Sequence, residues 1–171
     1  MRTIVVYESM FGSTRAIAEA IAAGIGGDAA VVTVGAATRD LLKTADLLVV
    51  GGPTHAHGMT SKQSRAGSPQ YVEKSHGDLE LEPDYEGPGL RDWFHDLPGR
   101  ALPAAAFDTR ASGSELFTGR ASKGIASRLH SHDCTLVAKP ESFLVDKNHH
   151  LVDGELERAR AWGESLRVVA V

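Results

Sequence analysis

The sequence holds a single cysteine, Cys134. A lone thiol excludes an internal disulfide and suits a reducing compartment, so a cytoplasmic location is expected. Basic excess is missing as well. Lys and Arg number 18 against 22 Asp and Glu, a formal net charge of −4. No basic stripe runs along the chain, and no nucleic-acid partner is expected. The acidic excess is in turn small for an electron shuttle that docks by charge alone. Long apolar runs are absent. Ile4–Tyr7 is too short for the core of a signal peptide, and no segment has the length of a membrane span, so no membrane partner is expected. Repeats, linkers and low-complexity tracts are also lacking. Hydrophobic residues at 42% and charged residues at 23% match ordinary globular usage. Residues 1–171 therefore read as a single domain, large enough to bury a core.

What is present is an alternation. Thr3–Tyr7 is a β-branched apolar run suited to a buried parallel strand. Ile17, Ile21 and Ile25 recur at four-residue steps among alanines, the pattern of a helix with one buried face, and Gly26-Gly27 stops it. Ala30–Val34 reads as a second strand, Leu41, Leu42 and Ala45 as a short helix, and Leu47–Val50 as a third strand ended by Gly51-Gly52-Pro53. Residues 60–89 differ. They are polar, punctuated by glycine and proline, and show no sustained period. A loop of that length serves as an active-site lid, a docking arm or a dimer arm. Leu90, Trp93, Phe94 and Leu97 then form a helical stripe, with Trp93 and Phe94 assigned to the core. Ala101–Phe107 reads as a fourth strand, Ala121, Ile125 and Leu129 as a helix, and Thr135–Ala138 as a fifth strand that Glu141–Val145 extends or flanks. Leu156, Ala159, Gly163 and Leu166 mark the last helix, with Trp162 at its edge and Glu155, Glu157, Arg158 and Arg160 on a solvated face.

Strands alternating with helices predict an α/β fold, a parallel sheet with helices on both faces. Ligands of such sheets bind outside the carboxyl ends of the strands, where the winding reverses. Three loops lie there: 8–14, 53–59 and 108–114. In the first, Ser9-Met10-Phe11-Gly12-Ser13-Thr14, Gly12 permits a tight turn and Ser9, Ser13 and Thr14 offer hydroxyls. The unpaired amides and positive dipole end of the following helix suit a phosphate without help from lysine. A plain helix cap at Ser13 or Thr14 is the simpler use of the same residues. Other phosphate chemistries fail on composition. A Walker loop needs a lysine, a dinucleotide fingerprint needs more glycines, and a thiol phosphatase needs a cysteine where Glu8 stands. A phospho-receiver needs an acidic cluster after the first strand and an aspartate after the third, and only Lys139-Pro140 fits it.

On these residues the chain resembles the flavodoxin-like family. Ser9, Gly12 and Thr14 match its phosphate loop, with Phe11 in place of the middle threonine. The Ser-Met-aromatic-Gly variant, together with Gly52-Pro53-Thr54 and Gly58-Met59, is similar to flavin-dependent quinone reductases related to the tryptophan-repressor-binding protein. The resemblance implies a three-layer sandwich around a five-stranded parallel sheet in order 2-1-3-4-5. It also implies FMN as cofactor, with NAD(P)H as donor and a quinone-like acceptor as substrate. The FMN-binding residues it implies are Ser9–Thr14 (Met10 and Phe11 included), Pro53, Thr54, His55, His57 and Gly58, and Asp108, Thr109, Arg110 and Gly113. A flavodoxin-type carrier serving a protein partner, and a module that has lost flavin, are the alternatives.

The chain departs from the family at the flavin ring. Flavodoxins commonly clamp it between aromatic side chains, whereas the second loop offers His55 and His57 and the third has no aromatic residue. Phe117, Tyr71 and Tyr85 are the available substitutes. An open ring face favours an enzyme over a shuttle. Arg110 is placed to stabilise charge at the reduced ring, or else to pair with Asp108 or Glu115. His55 or His57 would relay a proton, or stand merely solvated. Catalytic residues are not identified. The close pairs His55/His57, His130/His132 and His149/His150 lack the third and fourth ligands of a zinc site, so no metal is expected. Nothing in the sequence excludes a homo-oligomer.

Overall fold

The structure is a computed structural model that describes residues 1–169. An internal strand of its sheet is β1 (Arg2–Tyr7), buried from Thr3 onward. β1 pairs in parallel with β2 (Asp28–Thr33) on one side and β3 (Leu47–His55) on the other. β3 pairs in parallel with β5 (Pro103–Ala111). Two short strands, β6 (Thr135–Leu136) and β7 (Glu141–Val145), then pair with successive parts of β5. The order β2-β1-β3-β5-β6 is the expected 2-1-3-4-5. The edge position is filled by two segments, because Lys139-Pro140 interrupts the pairing and proline cannot donate to a ladder.

The period of two along the strands divides the core. Ile4, Val6, Leu48, Val50, Ala104 and Ala106 face α5 (Leu90–Asp96) and α7 (Ala121–Ser131). Val5, Leu47, Val49, Ala105 and Phe107 face α1 (Ser13–Ile25) and α8 (Glu155–Val169). The last two helices cross at backbone contact. A Cβ on Gly24 would lie 2.0 Å from the Arg160 carbonyl oxygen, and one on Gly163 would lie 2.2 Å from that of Ile21.

Several boundaries differ from the sequence reading. β3 does not stop at Val50. Gly51 and Gly52 stay within the strand because the Phe107 ring and the Leu90 side chain occupy the space where their side chains would stand. Beyond them the chain turns at Ala56 and His57 (φ 45° and 71°) into β4 (Gly58–Met59), which pairs antiparallel with Thr54–His55. The second loop is thus a hairpin. Residues 60–89 hold two short helices, α3 (Lys62–Ala66) and α4 (Pro69–Lys74), the first with a Ser61/Ser64 capping box.

That segment is tied down by a buried polar chain. The Glu8 carboxylate accepts from the Thr60 hydroxyl and, at 2.8 Å, from the Leu90 amide. Arg65, only 4% exposed, donates to Thr60 and bridges to Asp92 at 3.3 Å. Burial pushes the Glu8 carboxyl up from its ordinary value, against the lowering pull of Thr60, Leu90 and Arg65.

Glu155 and Arg158 are not a solvated face. Glu155 is buried where Leu156 was expected, and Leu156 is exposed. The Glu155 carboxylate accepts from the Leu144 amide at 2.6 Å, while Arg158 donates to the Ser142 carbonyl, bridges Glu141 and lies 4.5 Å over the Phe143 ring. Two side chains thereby occupy polar groups that the edge strand β7 would otherwise leave open.

Two outcomes are expected. Glu155→Ala orphans the Leu144 amide and costs about 1–3 kcal/mol of stability in urea denaturation; an unchanged midpoint would mean that water serves the amide equally well. Folded Glu8 keeps its proton to higher pH than unfolded Glu8, whose ordinary value is 4.5. The native state then binds more protons above that pH, and stability falls as pH rises through the folded value. Denaturation of Glu8→Gln alongside the unsubstituted protein, from about pH 4 to 7, should show the unsubstituted protein losing ground as pH rises; parallel curves would contradict it.

Candidate functional site

β1 hands over to α1 through five residues at the carboxyl edge of the sheet, beside the central strand. Gly12 stands at the helix N-cap with φ 93°, a left-handed conformation that glycine adopts without strain. No side chain caps the helix, and its first turn carries no acidic residue. The first helical amide bonded within the turn is that of Ala16, to the Gly12 carbonyl at 3.0 Å. The amides of Ser13, Thr14 and Arg15 remain as donors.

The hydroxyls of this loop are largely committed. Ser9 Oγ accepts from the Gly12 amide (3.1 Å), and Ser13 Oγ donates to the His149 carbonyl (2.7 Å). Thr14 and Thr109 share a hydroxyl–hydroxyl bond of 2.7 Å, which leaves one proton of the pair free. The anion-binding capacity of the loop therefore rests on backbone amides more than on the hydroxyls expected from sequence. On its outer side Glu82 donates its amide to the Met10 carbonyl (2.8 Å) and pairs its carboxylate with Arg15 (3.1 Å).

A cleft opens in front of these amides. Ser9, Met10, Phe11, Ser13 and Thr14 form one wall, Pro53, Thr54 and His55 a second, and Thr109, Arg110 and Ala111 a third. The fourth wall is Val145, Asp146, Lys147 and His149, which sequence reasoning missed. Its signal was present: 146–150 follows Glu141–Val145, a segment read as extending or flanking the fifth strand, at the same sheet edge. Phe11, Tyr71 and His149 cluster at the rim, with ring centroids 4.9 Å apart for Phe11–His149 and 5.2 Å for Tyr71–His149. His150 bridges to Asp78 at 2.8 Å, fastening residues 60–89 to this wall.

Five expected residues fall elsewhere. Gly12 shapes the turn without lining the cleft, and Gly58 lies in the β4 ladder. His57 is exposed at the hairpin tip, bridged to Gly119. Gly113 sits in the following loop, where its carbonyl accepts from Arg110. Asp108 is fully buried, and its carboxylate accepts from the Ser122 amide at 2.6 Å near the start of α7. It anchors a helix, and burial raises its pKa. Thr54 Oγ1 likewise accepts from the Ala121 amide at 2.9 Å. Arg110 pairs with neither Asp108 nor Glu115. Its Nη1 staples its own loop through the carbonyls of Ala111 and Gly113 and the Thr118 hydroxyl. Burial depresses the pKa of both His55 and His149, so two neutral imidazoles face the cleft near pH 7. Trp93 is buried as expected, its indole donating to the Ala37 carbonyl.

Comparisons with known proteins agree with this geometry. Residues 4–81 match the flavodoxin domain family. No curated protein matches by sequence. Among solved structures, a flavodoxin from the domain Archaea aligns at 21% identity and TM-score 0.67 over 99% of both chains. Flavodoxin 1 from Bacillus cereus aligns at 17% and 0.65 over 97% of each chain. A flavodoxin, WrbA-like protein from Agrobacterium tumefaciens aligns at 21% and 0.62, over 99% of this chain and 96% of that one. No helix among the described residues is long and apolar enough to cross a membrane. The chain has the flavodoxin fold along its length, and its match to the flavodoxin domain family is confined to residues 4–81.

Proposed function

We propose that the cleft binds FMN and that the protein passes electrons from NAD(P)H to a quinone-like acceptor. The observation that carries this reading is the start of α1, where three amides without an internal acceptor, no capping side chain and no acidic residue adjoin a cleft lined by Ser13 and Thr14 at the switch point of the sheet. The amides of Ser13, Thr14 and Arg15 would hold the phosphate, and Met10 and Phe11 would flank the chain that follows it. Pro53–His55 and Ala111 would border the ring. When bound, the flavin supplies the redox chemistry, and the chain supplies position and electrostatics. His55, kept neutral by burial, can hold or pass a proton at a ring nitrogen beside the acceptor. The hairpin and residues 108–113 carry no Phe, Tyr or Trp to clamp a ring, which would leave a face for substrate.

One observation favours the carrier as a second reading. Leu116 and Phe117, on α6 (Glu115–Thr118), are 88% and 80% exposed. Exposed apolar side chains in the loop after β5 would suit a docked protein partner.

FMN titration, read by flavin fluorescence, tests the phosphate site. Ser13→Glu places a carboxylate in the first turn, where a helix tolerates or welcomes it. FMN affinity is expected to fall about tenfold or more, a loss of roughly 1.4 kcal/mol, while the apo-protein stays folded. Equal FMN affinity in the variant would remove the assignment. With NADH or NADPH and a quinone, the FMN-loaded protein should turn over the nucleotide; bound flavin that the nucleotide leaves oxidised would favour the carrier.

A further inference from the structure

A second groove runs along β7 between the starts of α7 and α8, and Arg110 lines both it and the cleft. Its walls carry five cations, Arg110, Arg120, Lys123, Lys139 and Arg158, against three carboxylates, Glu115, Glu141 and Glu155. This is a local excess of positive charge on a chain of net charge −4. All three carboxylates are already bridged. Glu115 meets Arg120 at 3.2 Å and Lys123 at 3.6 Å, and Arg158 takes Glu141 and Glu155. Among the described residues, Arg110 and Lys139 have no carboxylate within bridging distance.

Arg110 is only 9% exposed, and among the described residues its Nε has no acceptor, nor has the buried Nε of Arg120. Two such donors lining one groove suit an anion with several oxygens. Recessed donors point to phosphate groups on a small ligand, since a flat protein surface would reach Lys139 but not Arg110.

We propose that this groove is the subsite for the phosphates of the nicotinamide dinucleotide donor, whose nicotinamide end passes Arg110 into the cleft. The proposal rests on reading the cleft as a flavin site served by a nucleotide.

ADP-ribose carries the phosphates but no nicotinamide, so its binding can be followed by calorimetry without flavin reduction. It is expected to bind both apo- and FMN-loaded protein, more weakly as salt rises. Lys139→Glu should weaken it about fivefold or more, and Lys123→Glu by a smaller factor, with FMN affinity unchanged in both. ADP-ribose affinity indifferent to both substitutions, or no ADP-ribose binding by protein that takes up FMN, overturns the subsite. So does inorganic phosphate alone responding to Lys139→Glu. A polyglutamate peptide that responds to Lys139→Glu where ADP-ribose does not would overturn it in favour of an acidic protein partner. Failure of FMN to bind, with ADP-ribose still sensitive to Lys139→Glu, would sink the flavin reading and leave a phosphate groove.

Discussion

The amides at the start of α1 must find an acceptor outside the helix, and the described residues supply none. Capping would have been simple, since a serine or threonine at the Gly12 position satisfies one or two such groups. Glycine stands there instead, and the neighbouring hydroxyls are turned to other tasks: Ser9 to the loop itself, Ser13 to the His149 carbonyl, Thr14 to Thr109. The result is a set of committed side chains around unbonded backbone donors. β1, paired in parallel on both sides, fixes where α1 begins.

Two buried carboxylates brace that arrangement from opposite sides. Glu8 gathers Thr60 and the first amide of α5, and Asp108 takes an amide near the start of α7. Both lie within or just beyond strands that lead to the cleft, and burial raises the pKa of both. Neither reaches the cleft itself, which keeps their charge away from an anionic ligand. The histidines that do reach it are neutral near pH 7 and repel nothing.

The repeating features were legible in sequence. β-branched runs flanked by small residues gave β1 and β3, and the four-residue spacing of Ile17, Ile21 and Ile25 gave α1. Where the reading failed, a residue served an unusual purpose. Gly51-Gly52 looked like a stop signal because glycine usually ends strands, yet here it makes room for Phe107 and Leu90. Glu155 and Arg158 looked like surface because charged side chains usually are; they serve backbone groups of the edge strand β7. Residues 60–89 looked unanchored because their anchor, Glu8, lies far back in the chain. The fourth wall of the cleft was missed because the loop after Glu141–Val145 was not traced to the carboxyl edge of the sheet. Asp108 was drawn into the site by proximity in sequence, although its carboxylate turns away to the Ser122 amide of α7.

The glycine contact between α1 and α8 also bears on how the chain assembles. The seal over Ile17 and Ile21 thus joins segments far apart in the chain, and the loop-closure entropy of such a long-range contact must be met before the packing that repays it, which slows folding.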